Sequence, residues 1–333
     1  MTRLLAPTRR GALGLAAGAL AAWAFASPGH AAGTEALALH AVPVPLDEID
    51  RSRTAVGRLE WRGGLILGSP DRRFGGWSDL WVAPGADRLV AISDNGWTLD
   101  AGLSFDGRLV GAGPARIGRL SGPDGAAVLG RDADAEGLAR LSDGGFAVSF
   151  ERRHRIEVYP PADPPFARPP RTIRLPPEVS KAPRNGGIEA LTTLPDGRLL
   201  FLLEDLVDGE AHVGFVGRDG DWSRLLYRAA DGFSPVGACP LADGSCVMLE
   251  RAFGLPGGFS ARLVRVQPGG WTAGNAVVGE ELARLRSPQL VDNYEGIASA
   301  RFGSDEILFL ISDDNYSFLQ RTLLVALALP QGI

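Results

Sequence analysis

Carboxylates recur in register along this chain. Four segments of similar length carry an acid at each end: Asp79 and Asp94, Glu136 and Glu151, Glu189 and Glu204, Glu295 and Asp313. A fifth, Ser234 to Glu250, keeps only the far acid. The clearest copies, Glu136–Glu151 and Glu189–Glu204, have Asp-Gly at their midpoints, a hairpin signal between apolar runs. A turn centred there sets Glu136 opposite Glu151 and Glu189 opposite Glu204, with Cβ atoms about 4.5–5.5 Å apart on one face. By the same symmetry Gly237 faces Glu250. Like charges that close repel unless a cation joins them. The pattern therefore predicts a metal site drawn from Asp94, Glu136, Glu151, Glu189, Glu204, Glu295, Asp313 and Asp314. Carboxylate oxygens, with Asn95 and Asn315 beside them, suit calcium, which takes roughly 6–8 oxygen ligands in irregular geometry. A dication there would lower the pKa of a bound water and polarise an ester. Arg152 and Arg251 follow the far acids Glu151 and Glu250, and an arginine so placed can grip phosphoryl oxygens bidentately. Arg152, Arg251 and Glu250 are the candidate catalytic residues.

Other chemistries leave little mark. His30, His40, His154 and His212 are scattered without zinc spacing, and no nucleophile elbow, Walker loop or dinucleotide fingerprint occurs. A solvated acid beside a turn explains any one pair, but it does not explain four pairs in register.

The elements that position these acids are short strands. The far acids recur about every 50 residues, which is the period of a propeller blade. Material for further strands follows the hairpins at Arg155–Tyr159, Thr172–Leu175, Val213–Arg218, Leu225–Arg228 and Leu263–Gln267. No long amphipathic helix is evident, and 44 glycines with 24 prolines supply turns. A four-stranded blade buries its faces only against its neighbours, so the repeats should close into a ring. The fold expected is an all-β propeller of five or six blades, the sixth drawing on residues 35–70. Thr322–Leu329 should pair with Arg58–Leu67 and complete one blade. Both ends of each hairpin then lie on one rim, and the acids converge at one mouth of the channel. The proline-rich run Pro160–Pro170 reads as a long loop over one rim.

Composition sets the compartment. With 333 residues, 45% hydrophobic and 22% charged, the chain has an ordinary globular balance. Arg3, Arg9 and Arg10 precede the apolar run Gly11–Phe25 and a small-residue stretch ending at Ala31-Ala32, which reads as an export signal over residues 1–31. Thr8-Arg9-Arg10 gives it a twin-arginine character, and the run is too short for a convincing membrane anchor. Residues 32–333 then form one domain, periplasmic or secreted and monomeric. Losing the signal removes three arginines and no acid, so the net charge moves from −5 to −8. That acidity, with no basic run, excludes a nucleic-acid footprint. Cys239 and Cys246 are permitted a disulfide in an exported chain, yet the hairpin sets them diagonally, and the bridge stays open.

Taken together, Asp134-Ala-Glu-Gly-Leu138, Ser149-Phe-Glu-Arg152, Gly187-Ile-Glu-Ala-Leu191, Leu249-Glu-Arg251, Asp292-Asn-Tyr-Glu-Gly-Ile297 and Ser312-Asp-Asp-Asn-Tyr-Ser317 carry a resemblance. The chain resembles the phytase-like family, the bacterial "esterase-like activity of phytase" group of exported propellers, from about Trp61 to Leu327. The resemblance implies a calcium-rich propeller acting on a small-molecule ester or phosphoester. The chain has one lysine, Lys181, and no Asp-Ala-x-Asp-Pro-Ala run, so phytate itself is not implied. Two other functions fit the residues: a lactonase-like propeller using one ion on an acid and Asn platform, and a non-catalytic binding propeller with structural calcium.

Overall fold

Short apolar strands separated by Gly, Pro and Asp-Gly turns bury both faces only by stacking sheet on sheet. The computed structural model, which describes residues 33–271 and 276–330, shows that solution as a ring of five antiparallel sheets. The expected signal, residues 1–31, lies outside the described residues. Among those described, the only helices are two short 3₁₀ turns, and none is long and apolar enough to cross a membrane.

Each blade begins at the axis and works outward. The innermost strands are Trp77–Val82, Ala135–Arg140, Ile188–Thr193, Ser234–Pro240 and Tyr294–Phe302 in blades one to five. Each packs against the innermost strand of the next blade, and the fifth returns to the first. Second strands follow at Arg88–Ser93, Phe146–Phe150, Leu199–Asp208, Cys246–Gly254 and Asp305–Ser312. The fifth blade is completed from both ends of the chain: Thr322–Leu329 pairs with Leu59–Gly68, which pairs in turn with His40–Val44. This is the closure expected from sequence. Residues 35–70 supply outer strands to the fifth and first blades rather than a sixth blade.

Five apolar clusters fill the five gaps between neighbouring blades. All eight residues of Thr322–Leu329 are buried, because this strand has a blade on either face. At about 1.5–3 kcal/mol per buried Leu, Ile or Phe, the seams dominate the stability of the ring. Cys239 and Cys246 are both buried and unbridged. They sit in different seams, Cys239 with Leu249 and Ile297, Cys246 with Ala190 and Trp271, so their side chains leave opposite faces of one sheet.

The proline-rich stretch joins the third and fourth strands of blade two, which places it on the rim away from the acids. There Phe166 packs edge-on against Tyr159 and closes the end of a seam.

Candidate metal centre at the channel mouth

The acids reach the mouth through a repeated irregularity in the innermost strands. In every blade the register slips between the first and second strand, leaving one extra residue on the inner strand. The extra residues are Ser78, Glu136, Glu189, Val236 and Glu295. Such bulges re-aim a side chain and often border functional sites. Here they set Glu136, Glu189 and Glu295 at the mouth. The residue after the bulge must let the next blade close in. A Cβ on Gly137 would meet the Glu189 carbonyl oxygen at 2.7 Å, and one on Gly237 would meet that of Glu295 at 2.8 Å. Asp79 takes the equivalent place in blade one. Its buried carboxylate accepts the N–H groups of Leu80, Leu138 and Ile297, tying three inner strands together.

The bulge also corrects the expected pairing. Glu136 does not face Glu151, nor Glu189 Glu204. The Glu151 N–H donates to the Asp134 carbonyl, Glu204 to Gly187, Asp94 to Gly76 and Asp313 to Asn293. In blade four Arg251 pairs with Ser234, while Glu250 faces Pro235 rather than Gly237. The residues that the second strands bring to the mouth are therefore Asp94, Glu151, Glu204, Arg251 and Asp313. Arg251 occupies the position that is acidic in the other four blades. Glu250 turns away, accepting hydrogen bonds from the Tyr227 hydroxyl at 2.7 Å and from the Arg262 guanidinium.

One group can share an ion. Ligand oxygens of Asp134, Glu136 and Glu151 all lie within 4.8 Å of one another. Asp134 and Glu151 are buried and Glu136 half-buried. Glu151 Oε1 is fixed by the N–H groups of Gly186 and Gly187, and Asp134 is flanked by Arg152. Glu136 receives no hydrogen bond from any described residue. Burial pushes its carboxyl well above the usual range, and Glu295, Glu151, Asp134 and Asp94 push it the same way. A half-buried carboxylate without a donor, crowded by like charge, is the environment a hard cation relieves, so these residues fit a metal.

The rest of the ring extends this field. Burial, then Asp134 and Glu295, raises Asp94 to about 7. Burial, then Glu295, raises Asp313 to about 8. Asp314 is spent on structure, accepting from the N–H groups of Gly76 and Tyr316 and from the Thr322 hydroxyl. Across the mouth Arg251 donates to Glu204 at 3.1 Å, to Asn293 at 3.0 Å and to Glu295. Burial raises Glu189, and Glu204 adds to the shift. Asp134 and Asn293, which sequence reasoning did not place among the ligands, sit two residues before their bulged glutamates. Asp-x-Glu-Gly and Asn-x-Glu-Gly are the signal that could have found them.

Beside the triad lies an open hollow of about 510 Å³ lined by Arg131, Asp132, Arg152, Arg153, Arg184 and Asn185. Arg152 takes a left-handed backbone conformation, φ 53°, which turns the chain sharply after Glu151. Arg152 and Arg153 pair with Asp134 and Asp132, whereas Arg131 and Arg184 form no ion pair with a described residue. A separate small cavity of about 90 Å³ lies along the inner strands, lined by groups such as Leu80, Leu138, Thr192 and Ile297.

A sequence-family model, Phytase-like, described as "Esterase-like activity of phytase", matches residues 72–316. No curated protein matches the chain. Among solved structures, the catalytic domain of an α-L-arabinofuranosidase from Coprinopsis cinerea aligns at TM-score 0.49 and 14% identity, over 82% of this chain and 97% of that one. Virginiamycin B lyase from Staphylococcus aureus aligns at 0.40 and 12%, over 82% and 74%. The PQQ-bound aldose sugar dehydrogenase of Streptomyces coelicolor gives 0.43 and 14%, over 88% and 98%. Likenesses this distant say nothing about the site.

Proposed function

Because this chain belongs to the phytase-like family, we propose that it is a phosphoester hydrolase whose reaction runs at the acidic mouth with a divalent cation. The observation that carries the reading is the Asp134, Glu136 and Glu151 triad opening beside an arginine-lined hollow. These three carboxylates would hold the ion, and their all-oxygen character favours calcium. A divalent ion bound there supplies Lewis-acid polarisation of a phosphoryl oxygen and a water of lowered pKa.

The chain's own residues do the rest. Glu151 is pinned by two backbone N–H groups and Asp134 by Arg152, so the donors are organised before substrate arrives. Arg131 and Arg184, unpaired with described acids, are free to take phosphoryl oxygens in the two-pronged geometry a guanidinium allows. Arg251 is engaged by Glu204 and Glu295, and Glu250 by Tyr227 and Arg262. Neither therefore contributes to the proposed chemistry, and Arg152 acts chiefly through Asp134.

The test is hydrolysis of p-nitrophenyl phosphate beside p-nitrophenyl acetate and a lactone, after chelation and after calcium return. Turnover of the phosphate that vanishes with chelator and returns with calcium supports the reading. Turnover indifferent to chelation overturns it. A calcium-raised melting temperature with no turnover on the panel would identify a binding propeller instead. Export belongs to the same proposal. Protein recovered from the periplasm or medium should begin near Ala32, and an intact Met1 terminus in the cytosol would contradict it.

A further inference from the structure

Arg251 stands where blades one, two, three and five each present a carboxylate. It does not face outward as a strand-end arginine would. One nitrogen donates to Asn293 Oδ1 at 3.0 Å and to Glu295, the other to Glu204 at 3.1 Å. Glu189 lies in the same field. No other arginine or lysine among the described residues pairs with Glu189, Glu204 or Glu295. Asn293 completes the arrangement by donating to Glu295 at 2.8 Å.

The two halves of the mouth are thus built differently. On one side Asp134, Glu136 and Glu151 converge, with Arg152 kept to the outer flank of Asp134 and half exposed. On the other side the guanidinium sits among the acids, holding Glu204 on one edge and Glu295 on the other. Among the described residues, three carboxylates close enough to share one ion occur only in the first half. A planar cation with several fixed donors can bridge three acceptors, which a lysine, with one point charge, does less well. Removing it would leave half-buried like charges uncompensated, the situation that made the first half fit a metal.

We propose that Arg251 is the resident cation of the second half of the mouth and limits the divalent ions taken up there to those of the Asp134, Glu136 and Glu151 side. This inference rests on the proposed metal-dependent reading, but its test separates the two. Chelator-stripped wild-type, Arg251→Ser and Arg251→Lys proteins are titrated with calcium by calorimetry, and calcium per chain is counted by elemental analysis.

Arg251→Ser should bind one more calcium per chain than wild type, and Arg251→Lys should match wild type. Adding Glu295→Gln to Arg251→Ser should abolish the gain. A folded Arg251→Ser protein with wild-type stoichiometry overturns the inference while leaving the metal-dependent reading intact. Wild type binding no calcium defeats that reading, and the inference then stands or falls on whether Arg251→Ser gains an ion. If Arg251→Ser unfolds once stripped, its melting temperature decides. Recovery in millimolar calcium, with a steeper dependence on log calcium than wild type, supports the inference, and no recovery refutes it.

Discussion

Replacing Glu136 by Gln removes one charge from the triad and keeps its shape, so the two states of the protein should respond in opposite directions. In the stripped protein Glu136 has two carboxylate neighbours no more than 4.8 Å away. At an effective dielectric of about 20, each pair repels by about 3 kcal/mol. Relaxation and partial protonation reduce that, leaving roughly 2–3 kcal/mol that the substitution recovers. For a chain of this length each kcal/mol moves the melting temperature by about 2 °C, so stripped Glu136→Gln should melt ~5 °C above stripped wild type at pH 8. Calcium should reverse the order. Wild type at calcium one hundredfold above its dissociation constant gains about 2.7 kcal/mol, and the variant should gain less than half as much. Differential scanning calorimetry in chelator and in calcium reads both arms. A stripped variant that melts below wild type, or one that keeps the full calcium shift, would refute the reasoning.

Three further outcomes rest on the same ring of acids and the strands beneath it. Asp94 and Asp313 titrate near 7 and 8 in the fold but near 4 when unfolded, so the folded chain holds more protons between those limits. Stripped protein should therefore lose stability as pH rises from 5 to 8, by at most about 1.4 kcal/mol per pH unit for each group, and a flat or rising melting curve would count against it. Asp79→Ala strands the N–H groups of Leu138 and Ile297 between blades and should cost about 3–5 kcal/mol by urea unfolding, with a loss under 1 kcal/mol arguing that the carboxylate does not tie the strands. Gly137→Ala places a Cβ 2.7 Å from the Glu189 carbonyl and should both destabilise the fold and weaken calcium binding in the same titration, whereas wild-type affinity would show that the bulge tolerates displacement.

Much of this was legible in the sequence. The acid-ended hairpins gave the blades, their convergence at one mouth, and the ring closure by Thr322–Leu329. What failed was register. The Asp-Gly hairpins close through three residues rather than two, with Leu141 paired to Gly145 and Gly144 in the left-handed conformation, which moves the pairing by one. The bulge at Glu136 moves it by one more, so Glu151 meets Asp134 instead. Neither slip changes the alternation of apolar residues enough to be seen from periodicity. Blade four hid its character for the same reason. With Glu250 aligned as the far acid, Arg251 looked like a neighbour of the ring, when it is the ring member. Of the arginine hollow only Arg152 was legible, because the other residues come from the entries into blades two and three and from the turn after Glu151.

The most direct measurement is an anomalous-scattering crystal structure of the protein soaked in manganese or calcium. The account predicts a peak bonded to oxygens of Asp134, Glu136 and Glu151, on the Arg152 side of the mouth and away from Arg251. A mouth without a peak at saturating ion, or an ion seated between Glu204 and Glu295, would contradict it.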